Sequence, residues 1–501
     1  MIFESVNCIT SKEEFLEKIL IYIRIVEVFA ERNKLVIPTN NELNSALEKE
    51  LINIGVIDKL EEIKELYKVL KKDCSRFINC VHFYLCHKKE MGTLLAKLSN
   101  EKRRKLQEKE KQNTKPTFVD LFAGAGGLSC GFVQAGFKVV FANDFEDVCV
   151  RTYRFNHPEL PANKVLKVDI RQIVDNIKDY VTEPVDMVVG GPPCQGFSSA
   201  NQQRIIDDPR NELYKYFVKA IKQLLPKFVV MENVKGMLSV ANQVVEDYNN
   251  IKVERNGTTY NYNVAYKLLN STEFSVAQSR ERLIYIAIRT DISESKGITP
   301  EDIFEQIEEA NKGNKTYVLK DALDYIKPLD APRVKNMNEV DDEKTGKKID
   351  VNNYLGNEND YLKLINGNRE IPFLYNHKAR FVNDINYDIY RLLNQGDDAS
   401  DPKIADIMPY TNRLHCFKDK YYKLRADYPS RTITAHLRMD CHSHIHPFQI
   451  RALTPREAAR CQSFPDDYMF LGAYLKTYMQ IGNAVPCIMA KGIASIIKKY
   501  I

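Results

Sequence analysis

Thr117-Phe118-Val119-Asp120-Leu121-Phe122-Ala123-Gly124-Ala125-Gly126-Gly127-Leu128 decides the fold class. Residues 117–122 read as a buried strand, the glycines as a loop, and Leu128 onward as the start of a helix. Glycines let a ligand approach the backbone closely and allow positive φ. A dinucleotide fingerprint wants glycine at 129, where Ser129 stands, so a pyrophosphate is not implied. A smaller adenosyl ligand suits a loop without that glycine. Asn143-Asp144 ends the next strand, where an acid binds ribose hydroxyls in folds of this kind. Asp169-Ile170 closes the next β-element and reaches toward the adenine. The alternative is a tight β–α turn with no ligand.

Working outward, candidate strands at 117–122, 138–143, 185–190, 228–232 and 283–289 alternate with helical stretches. That alternation predicts an α/β fold around a parallel sheet. The third strand runs into Gly191-Pro192-Pro193-Cys194-Gln195-Gly196-Phe197-Ser198. Prolines cannot continue a strand ladder and stiffen the backbone. The pattern therefore presents one thiol at the carboxyl edge of a sheet, where α/β enzymes build their sites. A lone cysteine is usually inert core; in this setting Cys194 reads as a nucleophile.

Glu232, in Met231-Glu232-Asn233-Val234, also ends a buried run. A carboxylate there is costly unless paired or functional. Alone it reads as a helix-starting or surface acid; beside a nucleophilic cysteine it is a proton donor or hydrogen-bond anchor. Gln278-Ser279-Arg280-Glu281-Arg282 sets two arginines on one side of an extended segment. They can hold a phosphate or a substrate carbonyl, or make surface ion pairs. His436, Cys441, His442, His444 and His446 lack the spacing of a closed zinc site and have no CxxC. Cys74, Cys80, Cys86 and His87 suit helix packing. No metal is expected.

The 501-residue length predicts two to four domains. Residues 1–112 carry apolar residues at helical spacing over 13–32 and 43–70 and read as a helical N-terminal extension. The basic run 101–105 and the charges after it read as a solvated helix end and linker, with Arg103–Lys105 a candidate DNA-binding cluster. Residues 116–290, completed by 447–501, read as the catalytic domain. The segment 291–446, rich in Asn, Asp, Lys and Tyr, is long enough for a separate domain. The net charge, 72 − 67 = +5, is compatible with a polyanionic partner without demanding one. No apolar run approaches the ~20 residues of a membrane span, and no signal-peptide pattern opens the chain. A soluble cytoplasmic protein with reduced thiols is expected.

Together these motifs resemble the cytosine-C5 DNA methyltransferase family, of the bacterial restriction-modification type. The matches stand in that family's order: residues 122–127, 191–198, 231–234, 278–282 and 480–486, with 429–434 and 453–460 resembling its late motifs. Ser275 and Ala277 depart from it, standing where glycine and proline are common. The resemblance implies a Rossmann-like methyltransferase domain, S-adenosyl-L-methionine as donor and double-stranded DNA as substrate. It further implies that Cys194 attacks cytosine carbon 6 of a flipped-out base. Glu232 would hold the ring, Arg282 its carbonyl, and Arg280 would support the site. Donor contacts carry over to Phe122, Gly124, Asp144, Phe145, Asp169, Ile170, Pro193 and Asn483. The helix bearing Asn483 is expected to return beside the first strand. Residues 291–446 are then the target-recognition domain. A monomer with a partner restriction endonuclease is expected, and removing residues 1–112 should leave donor binding largely intact. The alternatives are a tRNA cytosine-C5 methyltransferase and a catalytically silent DNA-binding repressor; Gly196-Phe197-Ser198 and the long variable segment favour DNA.

Overall fold

Alternate residues of the apolar runs point to opposite faces, so each run needs cover on both sides. Phe118, Met187 and Phe228 enter one core while Val119, Val188 and Val229 enter another. In the computed structural model, which describes residues 6, 11–39, 41–193, 213–335, 337–351, 356–369, 371–409 and 420–501, these runs form one sheet. The strands are β1 Thr117–Leu121, β2 Lys138–Asp144, β3 Val165–Lys167, β4 Met187–Gly190, β5 Phe228–Val234, β6 Val253–Arg255, β7 Thr258–Tyr260, β8 Tyr262–Asn270, β9 Glu281–Arg289, β10 Gly346–Val351 and β11 Phe373–Lys378. The main sheet runs β3-β2-β1-β4-β5-β9-β8. The strand order reverses between β1 and β4, which opens a crevice at their carboxyl ends.

The expected parallel sheet is present, with an antiparallel addition at one edge that the sequence reading did not separate from it. β1 to β5 are parallel, whereas β9 runs antiparallel to β5, and β8 antiparallel to β9. Residues 271–280, with one short 3₁₀ turn at Ser271–Phe274, join β8 to β9. That is too short for the crossover a parallel pair requires.

Helices cover both faces. Gly127–Gln134 and Cys487–Ile497 lie on one core, and Leu213–Leu224 and Ala241–Asn249 on the other. The helix bearing Asn483, Tyr474–Asn483, packs on segment 434–435, where a Cβ on Gly482 would collide with the backbone, and it is the following helix, Cys487–Ile497, that lies on the helix after β1. A Cβ at Gly131 would collide with the Cys487 carbonyl oxygen, so the two backbones touch. The stretch Tyr474–Tyr500 is long and apolar enough to cross a membrane by length and composition, contrary to the sequence expectation. It is mostly buried and is broken between Asn483 and Cys487 into two core helices.

The N-terminal helices include Lys12–Asn33, Ser45–Asn53, Ile63–Leu70, Cys74–Cys86 and Asn100–Lys111. Cys74 and Cys80 are buried among them. Their core is shared: Phe155, Met469 and Leu471 enter it, as do Ile349, Phe373 and Tyr375 of the β10–β11 hairpin. The charged run at 101–105 opens the helix Asn100–Lys111, with Glu101, Arg104 and Lys105 exposed as expected and Arg103 turned inward. Arg103 is buried and donates to the Arg154 carbonyl, so it is not available to a phosphate backbone.

Residues 291–446 divide among several cores. Ile303, Phe304, Ile307, Tyr361 and Leu362 pack in the main core. The β10–β11 hairpin lies against the N-terminal helices, and Val382, Ile389, Tyr390, Leu393, Ile404, Tyr421 and Ile445 gather a small core of their own.

Candidate active site

Three motifs meet where the carboxyl ends of β4 and β5 lie beside the amino end of the antiparallel β9. Gly190 pairs with Met231, and Val234 with Arg282, so Gly191, Glu232 and Arg282 emerge side by side. Arg282 Nε lies 2.7 Å from Glu232 Oε1. A Cβ on Gly191 would stand 2.9 Å from Glu232 Oε2, so a side chain at 191 would push the carboxylate from its place beside Arg282. Asn233 Nδ2 donates to the Pro192 carbonyl at 2.9 Å, tying that turn to the strand bearing Glu232. Cys194 follows Pro193 directly and lies outside the described residues. Glu232 is 8 % exposed. Burial pulls the Arg282 guanidinium below its ordinary pKa, against the attraction of Glu232.

Arg280 is fully buried and faces the other way. It donates to the carbonyls of Ile433 at 2.6 Å and Gly482 at 2.9 Å. This pins the start of β9 to segment 433–434 and to the helix Tyr474–Asn483. It is therefore not free to hold a phosphate. Gln278 accepts from the Ile433 N–H at 2.6 Å and donates to Gln462 Oε1 at 2.8 Å, at the end of the helix Pro455–Cys461. The departure at Ser275 leaves the loop intact: its φ of 60° is the left-handed conformation that glycine adopts readily. Ala277 accepts a backbone hydrogen bond from Ser430.

The glycine loop caps β1. Phe122 takes φ 56° and Gly124 φ 55°, and a Cβ on Gly124 would meet nothing within 4 Å. Gly126 is the tight position, because a Cβ there would sit 2.6 Å from Tyr468 Oη. Asp144, at the end of β2, accepts from the N–H of Gly124 at 2.8 Å and of Glu146 at 2.8 Å. Burial raises its pKa despite those donors. Phe145 beside it is 70 % exposed. Asp169 caps the helix Ile170–Ile173 and holds Arg171 through both carboxylate oxygens; the guanidinium keeps it below the usual carboxylate range. Asn483 is exposed at its helix end. The Ile170 side chain is buried in the core beneath the sheet, which leaves its backbone as the part nearest a ligand above the strand ends. An open glycine loop, acids at adjacent strand ends and an exposed aromatic ring fit a flat, hydroxyl-bearing, cationic donor.

A family model for C-5 cytosine-specific DNA methylase matches residues 116–499. The chain belongs to this family. The methylase is similar to the type II methyltransferase M1.HphI of Haemophilus parahaemolyticus, 33 % identical over 387 residues, covering 76 % of this chain and 87 % of that one. It also resembles M.DdeI of Desulfomicrobium norvegicum, 31 % identical over 404 residues, covering 76 % and 88 %. Among solved structures, an Escherichia coli prophage protein described as a DNA modification methyltransferase aligns with TM-score 0.54 and 23 % identity. It covers 77 % of this chain and 99 % of that one, and bears on the fold alone. The methylase transfers methyl groups from S-adenosyl-L-methionine to carbon 5 of cytosine in DNA; the tRNA and silent-repressor alternatives are set aside. A covalent intermediate and a flipped-out base are general to the family.

Several positions escaped the sequence reading. Asp120 is buried in β1 with Oδ2 2.5 Å from Ser129 Oγ, which in turn meets Tyr153 Oη at 2.6 Å. Burial pushes Asp120 up to about 7. Its place in a strand ending at a glycine loop was the available signal. Among the described residues no group of His, Cys, Asp and Glu is arranged for a metal. His442 meets Tyr390 Oη at 2.7 Å, and His446 Nδ1 accepts from the N–H groups of Phe448 and Gln449.

Proposed function

We propose that Cys194 is the nucleophile of this methylase and that Glu232 and Arg282 hold the target cytosine against it. The observation that carries this is the 2.7 Å Arg282–Glu232 pair facing the turn that leads into Cys194. Carbon 5 of cytosine is a poor nucleophile. The Cys194 thiolate adds to carbon 6, and the ring becomes an enamine with electron density at carbon 5. Glu232 hydrogen-bonds ring N3 and the exocyclic amine, which stabilises that enamine. Arg282 donates to the ring carbonyl and orients Glu232. Arg280 positions β9 through its two carbonyl bonds. S-adenosyl-L-methionine, when bound, supplies the electrophilic methyl group. A base, water being one candidate, then takes the carbon-5 proton. The electron pair left behind re-forms the ring double bond and expels Cys194 as thiolate.

The donor lies on the glycine loop at Phe122 and Gly124. Asp144 accepts from its hydroxyls, and Phe145, Asp169, the backbone at Ile170, Pro193 and Asn483 line the rest. The catalytic domain comprises 116–290 with 447–501. Target recognition falls within 291–446, and residues 382–445, with a core of their own, suit it best. A cytoplasmic monomer acting on double-stranded DNA completes this reading. The methylase shares its site with a cognate restriction endonuclease, in keeping with relatives named type II methyltransferases. Bisulfite sequencing of DNA from cells expressing the chain tests this. Protected cytosines in one sequence context, lost with Cys194→Ser, are expected; protection that survives the substitution would refute the assignment.

A further inference from the structure

Residues 1–112 precede the family match, yet they are wedged against the elements that carry the donor-site residues. The junction centres on Glu17, in the helix Lys12–Asn33. Its Oε2 lies 3.1 Å from Arg151 Nη1, in the helix Asp147–Asn156 that starts just after Asp144 and Phe145. Its Oε1 accepts from the Gly472 N–H at 3.0 Å, in the loop leading into the helix Tyr474–Asn483. Lys348 of β10 also reaches Oε1, at 2.7 Å. The two catalytic elements touch each other here: a Cβ on Gly472 would collide with Val148, and Lys476 Nζ is 3.3 Å from Glu146 Oε2. Further contacts reinforce the same seam. Lys97 donates to the Asp467 carbonyl and Gln107 to the Pro158 carbonyl, and Phe155, Met469 and Leu471 are buried among the N-terminal helices.

We propose that Glu17 is a positioning residue for the methyl-donor site and that the N-terminal helices are a brace for that half of the enzyme. One carboxylate fixes the spacing between the segment bearing Asp144 and Phe145 and the helix ending at Asn483. This rests on the reading that these residues hold the donor. The brace acts on donor binding and leaves the Glu232–Arg282 pair, with which Glu17 shares no contact among the described residues, unchanged.

The test uses the full chain, with S-adenosyl-L-methionine titrated calorimetrically and methyl transfer assayed under varied donor. Glu17→Ala should weaken donor binding and raise its KM by roughly 3–30-fold, with kcat changed by less than about twofold. Glu17→Gln, which keeps the shape and drops the charge, should move both the same way and serves if the alanine variant fails to fold. Phe77→Leu is the stability control, because Phe77 packs on Tyr22 inside the N-terminal core. It should lower Tm while leaving donor affinity within about twofold. Asp144→Asn separates the two readings. If it weakens donor binding and Glu17→Ala and Glu17→Gln do not, the brace is refuted. If Phe77→Leu weakens donor binding as much as the Glu17 variants at equal loss of Tm, the effect is general destabilisation and the brace is again refuted. If Asp144→Asn leaves donor binding unchanged, the donor-site reading fails and the brace falls with it.

Discussion

Glu232 and Asp120 are both buried carboxyls near strand ends, and their surroundings give them different work. Glu232 faces Arg282 across 2.7 Å, so its charge is matched where a base can reach it. Glu232→Gln keeps the shape and loses that charge. Methyl transfer in a single turnover should slow by roughly 10²–10⁴-fold, the usual size of an acid–base contribution, with DNA affinity retained; a loss under about tenfold would remove Glu232 from the chemistry. Asp120 faces Ser129 and, among the described residues, no cation, and burial raises it from 3.8 to about 7. A carboxyl raised in the fold stabilises the protein most below its unfolded pKa, and that contribution is lost as pH rises through the folded one. Asp120→Asn does not titrate, so the variant should gain on the wild type between about pH 4 and pH 7, by roughly 2–4 kcal/mol at most. Parallel melting profiles across that range would show that Asp120 ionises normally. Glu232 and Asp144 were legible in the sequence because an acid ending an apolar run must be explained. The bonds of Asn233 and the buried side chain of Ile170 were not, since each depends on a neighbour brought in by the sheet.

At the scale of elements, Arg280 is the clearest case of a motif residue whose reach exceeds its own segment. It holds Ile433 and Gly482, which follow it by more than 150 residues. Arg280→Ala would leave two buried carbonyls unpaired and a cavity beside them, a loss of about 2–5 kcal/mol. Thermal melts should show it, and methyl transfer should fall with the displaced β9. An unchanged Tm would mean water replaces the guanidinium without cost. The parallel strands β1, β2, β4 and β5 were readable because burial on both faces makes them continuously apolar. β8 was missed: Tyr262–Asn270 mixes polar and apolar residues and is only half-buried along most of its length. With β8 unseen, the short return into β9 could not be recognised as antiparallel.

Across the whole molecule, the N-terminal helices are the main surprise. Helical periodicity named them, but nothing local announced that Glu17 would meet Gly472, because docking is written in contacts hundreds of residues apart. Truncation of residues 1–112 would bare Phe155, Met469 and Leu471 together with Ile349, Phe373 and Tyr375 of the hairpin. The intact chain should therefore melt in one cooperative transition, and the truncated chain should aggregate on expression; a soluble truncated chain with full donor affinity would show that the two parts are independent. The measurement that tests the central claim most directly brings enzyme, donor and DNA together. DNA carrying 5-fluorocytosine at the target allows methyl transfer but offers no carbon-5 proton to remove, so elimination stalls with the enzyme bonded to the base. An adduct that survives denaturing electrophoresis, forms only with S-adenosyl-L-methionine and vanishes in Cys194→Ser is the predicted result. An adduct that persists in Cys194→Ser would contradict the account, because another residue would then carry the chemistry.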